Sequence, residues 1–286
     1  MLDNRPKSGV KDDKHFLYDR KLIDTIVGRA DLSKRDTVLE IGGGEGTLSS
    51  AMLERCKELI IIEKDAGLAA FLSDKFNDCK NVSVLHGDAL KVGLPRFNKI
   101  VASMPYSIVQ QFFLRLVDEK RQDFEQAVLV VPYAFGKKIT ADLESDYFGV
   151  MSALFMAFYE VEIFLEIDKQ HFSPPPMVTS VAVSTKPFDM LHVQFKTTRL
   201  ILQRLFRHRH KKVKNVIVDC LWDDGEAIFS RKFTKREAKA LAEDIVKGVE
   251  QIANEKEALN LTNDECRAIT LNLIAWEKRY RAAAQQ

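Results

Sequence analysis

At 286 residues, 46% apolar and 29% charged, the chain is long enough for one sizeable core or two unequal ones, and its composition excludes a disordered protein. A net charge of +2 points to no partner by itself, and the longest apolar runs, 126–135 and 150–159, are too short and interrupted to span a bilayer. Four widely spaced cysteines, Cys56, Cys79, Cys220 and Cys266, with no CxxC pair, argue for a reduced, cytoplasmic setting without a zinc site.

The first residues, MLDNRPKSGVKDDKHF, lack the apolar core of a signal peptide and carry too many acids for a transit peptide. Strand and helix signals then alternate from about residue 20 to about residue 185. TVLEI (37–41), LIII (59–62), VSVL (82–85), KIVA (99–102) and AVLVV (127–131) are short, β-branched and bounded by turn residues, which predicts buried strands. Amphipathic stretches at 47–57, 66–76 and 107–118 fall between them. Such alternation predicts an α/β fold with a parallel sheet covered on both faces. Two further strands, near 161–167 and 178–185, flank FSPPP (172–176), whose three prolines form a stiff loop. After Lys186-Pro187 the pattern turns helical to residue 283, so the chain divides near 188 into an α/β domain, 1–188, and a smaller all-helical domain, 189–286.

EIGGGEG (40–46) directly follows the first of these strands. Glycines at 42, 44 and 46 allow a sharp turn and bring a ligand close to the backbone. One glycine-rich turn is weak support, since many such turns carry glycine for packing. Glu63 at the end of LIII-E can accept bonds from both ribose hydroxyls, and Asp88 in HGDA can accept from an adenine amino group. A helix cap is a plausible reading of any one acid and a poor one of all of them with the glycines. A nicotinamide fingerprint wants GxGxxG, yet the sixth position is Thr47 counted from Gly42 and Ser49 counted from Gly44. GxGxG preceded by Glu40, with acids after the next two strands, resembles S-adenosylmethionine methyltransferases.

Ser103-Met104-Pro105-Tyr106 ends the strand at 99–102, on the sheet edge that carries the glycine turn. Pro105 would present Tyr106 as a flat wall on which a base can stack. Methylating an exocyclic amine requires the nitrogen held in line and acceptors for its hydrogens rather than a strong base. Aminomethyltransferases carry [Asn/Asp/Ser]-x-Pro-[Tyr/Phe] here.

Taken in order, these segments resemble the ribosomal RNA adenine N6-dimethyltransferase family, whose relatives include erythromycin-resistance rRNA methylases and mitochondrial transcription factor B. KHFLYDRKLIDTIV (14–27) resembles its N-terminal cofactor segment, VLEIGGGEGTLS, IEKD and GDAL its next three motifs, and HFSPPPMVTSVAV (171–183) its F-x-P-x-P-x-V-x-S loop. FRHRHKKVKNVI (206–217) resembles the start of its helical domain, in wording closest to archaeal members. The resemblance implies a Rossmann-like methyltransferase sheet with helices on both faces and a small helical domain that docks on RNA. It implies that His15 and Leu17, Glu40 with Gly42, Gly44 and Gly46, Glu63 with Lys64, and Asp88 with Ala89 hold S-adenosylmethionine. Ser103 would serve both cofactor and target, with Pro105, Tyr106 and Phe172 around the target adenine. Its implied substrate is the rRNA of a small-subunit precursor, met by a monomer in the cytoplasm during ribosome biogenesis.

Between Met190 and Val218 there is no acid, but there are eight bases: Lys196, Arg199, Arg204, Arg207, Arg209, Lys211, Lys212 and Lys214. A solvated helix face is the plainer reading. So long an acid-free stretch in a nearly neutral chain favours phosphate binding. Three positions depart from the family pattern: Ser103 stands for its Asn, Pro132 for a Gln, and Val150 for an Arg. They leave open an RNA-binding assembly or transcription factor of the same fold beside the enzyme. A small-molecule methyltransferase fits the basic tail least well.

Overall fold

The computed structural model describes residues 14–118, 124–142, 145–149, 151–153, 155, 159–187 and 196–283. The segment before Lys14 and the Val150 departure lie outside the described residues. Two compact units emerge. One takes in the chain to Leu116 with Arg121–Gly136 and Glu160–Asp189; the other takes Val117–Lys120, Lys137–Tyr159 and the chain from Met190 onward.

In the first unit a short strand β1 (Phe16–Leu17) precedes helix α1 (Arg20–Arg29), which Asp19 caps by accepting from the Lys21 and Leu22 amides. Strands β2 (Thr37–Ile41), β3 (Glu58–Glu63) and β4 (Val82–His86) alternate with helices α2 (Thr47–Met52) and α3 (Ala66–Lys75). Strand β5 (Lys99–Ser103), helix α4 (Val109–Asp118), strand β6 (Gln126–Pro132) and helix α5 (Tyr133–Thr140) follow. Then come β7 (Tyr159–Ile167), the two-residue β8 (Phe172–Ser173) and β9 (Ser180–Pro187).

Seven of these strands form one sheet in the order β4-β3-β2-β5-β6-β9-β7. The pairs β2·β3, β3·β4, β2·β5 and β5·β6 are parallel, whereas β9 runs antiparallel to β6. The sheet is therefore mixed, not parallel throughout: β9 slots between β6 and β7 without the helical crossover a parallel neighbour needs. Apolar runs make the central strands because both faces are covered. Val38, Leu39, Leu59, Ile61, Ile100, Val101, Val128 and Val130 are all fully buried. The strand order reverses at β2, with β3 and β4 on one side and β5 and β6 on the other. That leaves a crevice at the carboxyl ends of β2 and β5, where open sheets of this kind bind ligands. A separate two-stranded sheet pairs β1 with β8, Phe16 opposite Ser173 and Leu17 opposite Phe172.

The second unit contains helices α6 (Lys196–Arg207), α7 (Val213–Phe229), α8 (Lys235–Ile245), α9 (Glu250–Glu255) and α10 (Asn263–Ala283). Thr234 and Glu237 close α8 with a reciprocal capping box. Trp276, 2% exposed, stacks on Tyr280 with ring centroids 5.0 Å apart, and its indole N–H donates to Asp244 Oδ2 at 2.9 Å. The start of α6 is capped from α10. Glu277 is 1% exposed and accepts from the amides of Thr197 at 3.0 Å and Thr198 at 2.9 Å, and from the Thr198 hydroxyl at 3.0 Å. The Arg281 guanidinium, 2.8 Å away, balances its charge.

Glu277→Ala strands two buried amides and a guanidinium, which costs about 2–4 kcal/mol. Glu277→Gln, which keeps one acceptor, costs less. Denaturant unfolding followed by tryptophan fluorescence reports the order, since Trp276 adjoins the cap.

Candidate active site

The crevice is a cavity of about 480 Å³. One wall is the turn after β2. Gly44 has a φ of 54°, in the left-handed region, and a Cβ there would come within 2.8 Å of the Phe16 ring. Gly42, with a φ of 75°, faces Pro105, whose ring atoms would lie 3.1 Å from a Cβ. Below the turn the Gly42 amide donates to Ile62 O at 2.8 Å, and the Lys75 ammonium, from the end of α3, donates to Glu45 O at 2.7 Å.

Glu63 ends β3 and lines the cavity while only 6% exposed. Its Oε2 accepts from the Gly44 amide at 3.1 Å and its Oε1 from the Asp65 amide at 2.9 Å, so the carboxylate is fixed in orientation. Asp88, beyond β4, also lines the cavity. The Leu90 amide holds its carboxyl below the usual range, reinforced by Lys64 at 3.1 Å. Arg115 fixes the loop that follows, donating to Ala89 O and, at 2.6 Å, to Val92 O.

A strap formed by Lys14, His15 and Phe16 closes one side of the cavity. Lys14 Nζ donates to Asp65 Oδ2 at 2.7 Å, and that bond lowers the Asp65 pKa. His15 Nδ1 lies 2.9 Å from Pro174 O. A carbonyl only accepts, so Nδ1 carries the hydrogen. The opposite wall is Ser103, Met104, Pro105 and Tyr106 at the end of β5. The Met104 amide donates to Val130 O at 3.1 Å, and the Tyr106 hydroxyl is hydrogen-bonded to Ser180 Oγ.

The cavity thus brings together His15, Gly42, Gly44, Glu63, Lys64, Asp88, Ala89, Ser103, Pro105 and Tyr106. Four expected residues, Leu17, Glu40, Gly46 and Phe172, lie elsewhere. Phe172, expected against the target base, is 2% exposed and packs in the core with Leu17, because the β1·β8 pair turns both side chains inward. Gly46 starts α2, and a Cβ there would meet Leu72 and Phe76. Glu40 is 1% exposed and is bonded by Ser49 Oγ beneath the turn; burial pushes its carboxyl up to about 8. Lys14, Asp65, Arg115 and Ser180 have roles that the sequence did not assign, although Lys14 and Ser180 stand inside the quoted motifs. Asp65 carried one usable signal, an acid just before the AGLAAFL run that it caps. The others bond to partners 51, 26 and 74 residues away, which no local pattern reveals.

The basic run of the helical unit is less bare in space than in sequence. Arg204 pairs with Asp223 at 3.1 Å and Asp224 at 2.8 Å, Lys211 with Asp219 at 2.9 Å, and Lys214 with Glu243. Those acids follow the run and fold back on it. Arg207, Arg209 and Lys212 are exposed around the turn between α6 and α7, while the side chains of Lys196 and Arg199 lie outside the described residues.

The profile of the family described as ribosomal RNA adenine dimethylase matches residues 7–256. A probable ribosomal RNA small subunit methyltransferase A from Methanococcoides burtonii is 36% identical over 210 residues, 72% of this chain and 76% of the relative. A crystal structure of a dimethyladenosine transferase from Plasmodium falciparum superposes with a TM-score of 0.75 at 22% identity, covering 92% of this chain and 98% of that one. The structure of the 23S rRNA methyltransferase ErmE does so with a TM-score of 0.63 at 20% identity, covering 90% and 99%; at these identities the two structures establish the fold.

The raised carboxyl of Glu40 fixes a sign. Between its ordinary 4.5 and about 8, the folded chain holds a proton that the unfolded chain has released, so its contribution to stability falls as pH rises through that window. The slope is at most about 1.4 kcal/mol per pH unit. Glu40→Gln keeps an acceptor for Ser49 and cannot ionise. Thermal melts from acid to alkaline pH are expected to show a steeper decline for the wild type, with the two curves parallel above the window.

Proposed function

This chain belongs to the ribosomal RNA adenine dimethylase family, and on that footing we propose that it methylates N6 of adenine in small-subunit rRNA, using S-adenosylmethionine, during ribosome biogenesis. The observation that carries the reading is the opening of Ser103-Met104-Pro105-Tyr106 into the same cavity as Gly42, Gly44, Glu63 and Asp88.

The residues present suit that cofactor. A cavity of about 480 Å³ has the volume of a small-molecule site. Its glycines leave room that a Cβ would fill, and its two carboxylates offer acceptors for a ribose and an adenine amine. S-adenosylmethionine supplies an electrophilic methyl group on a sulfonium. Glu63 would hold the ribose, since each of its oxygens already accepts one amide and has a second lone pair to offer. Asp88 would take the adenine amine, with the Ala89 backbone beside it.

At the target end, the Ser103 hydroxyl accepts an N6 hydrogen and turns the nitrogen lone pair inward. It is a shorter reach than an amide, so the base must sit closer to β5. Tyr106 gives the base a face, and Pro105 fixes where that face stands. No strong base is needed, because a methylated amine releases its proton readily. The adenine must be unpaired or extruded to enter.

RNA affinity in this scheme comes from Arg207, Arg209 and Lys212, exposed members of the basic run outside the ion pairs described above, together with Lys196 and Arg199. Four free cysteines support a reduced, cytoplasmic compartment. Among the described residues no helix is long and apolar enough to cross a membrane.

Incubation with methyl-labelled S-adenosylmethionine and small subunits lacking adenine methylation, followed by nucleoside digestion, is expected to place label in N6,N6-dimethyladenosine. Ser103→Ala should lower kcat by roughly a hundredfold, the usual cost of one well-placed acceptor or donor. Tight RNA binding without label would sink the enzyme reading and leave an assembly factor. In filter binding, replacing Arg207, Arg209 or Lys212 by Gln should each reduce the salt slope by about one. Lys214→Gln, which breaks an internal pair, should leave that slope unchanged.

A further inference from the structure

We infer that Ser180 is a positioning residue for the target adenine, acting through Tyr106; the inference rests on the function proposed above and deepens it. Ser180 is fully buried, does not line the cavity and touches no reacting atom. It opens β9, opposite Pro132 in the antiparallel pair with β6, so the sheet sets the place of its hydroxyl. Next to that rung the Tyr133 amide donates to Thr179 O at 2.9 Å, which holds the approach to β9 against the end of β6.

Tyr106 lies in a turn ahead of α4, not in a strand or helix, and its backbone is steadied by Ile108 N donating to Pro105 O at 3.2 Å. A tyrosine there has two side-chain torsions to lose before its ring can serve as a wall. The bond from its hydroxyl to Ser180 Oγ grips the far end of the ring and removes both. The near side is bounded by the His15 ring, with centroids 5.8 Å apart and planes inclined by 39°. His15 is itself held by Pro174 O. Pro174 lies in the segment that joins β7 to β9, and Ser180 stands where that segment enters β9. That segment therefore shapes the target site through the residues it braces, while its own Phe172 is spent on the core.

Methyl transfer depends on the angle at which the amine meets its donor, so loosening the wall should act on the chemical step rather than on RNA capture. The test is a double-mutant cycle on steady-state methylation of unmethylated small subunits. Ser180→Ala and Tyr106→Phe should each lower kcat about tenfold while KM for RNA stays within about twofold. The double variant should fall no lower than either single, because both remove the same bond. Wild-type kcat in Ser180→Ala, additive losses in the double variant, or a loss seated in KM for RNA would each overturn the inference. Should Ser180→Ala not fold, Tyr106→Phe still decides, since an unchanged kcat there overturns it as well. Absence of label with the wild type would overturn the proposed function, and this inference with it.

Discussion

Pro105 stands so close to Gly42 that a Cβ on the glycine would come within 3.1 Å of its ring. This contact joins two walls of the cavity, because Gly42 lies in the turn after β2 and Pro105 in the turn after β5. Parallel pairing of β2 with β5 brings the two turns together, and the missing side chain lets them touch. Any bulk at Gly42 would part the two walls. The separation of the two cavity walls is thus set by backbone packing.

The two ends of the sheet treat their polar groups in opposite ways. At the amino end of β5, Lys99 donates to Ala30 O at 3.0 Å and Asp31 O at 2.7 Å and pairs with Asp36 at 3.4 Å. Asn98 bridges Asp36 at 2.7 Å and the Thr37 amide at 2.9 Å. That end is closed by its own network. At the carboxyl end, Glu63 and Asp88 are each fastened by backbone amides yet still line open space. Internal bonds orient these carboxylates without exhausting them, as binding groups require.

Much of the fold was legible because burial on both faces forces continuous β-branched runs. TVLEI is the strand as read, and LIII gained one residue at each end. Helix α2 stops at Met52, short of the expected 57, because the chain turns there and the Lys57 amide reaches Asp36 O. Helix α4 starts two residues late, since the Pro105–Ile108 turn occupies its expected first positions. The lining of the cavity was legible where a special residue stands at a fixed place: glycine at 42 and 44, acids at strand ends, Ser-x-Pro-Tyr after β5. It was illegible where a role depends on what folds opposite. Glu40 looks like a ligand in sequence and is a buried support, and Phe172 looks like a stacking ring and is core, because a two-residue strand has no periodicity to reveal which way it faces.

The long-range cap of α6 bears on how the protein is made. Every strand of the described sheet has been synthesised by Pro187. In the second unit, the amides that open α6 wait for Glu277, about 80 residues later, before they find their acceptor. Where domains form in order during translation, the strands that border the cavity are all synthesised before Glu277 emerges. A nascent chain arrested between those points holds every strand of the described sheet but lacks the acceptor for the first amides of α6.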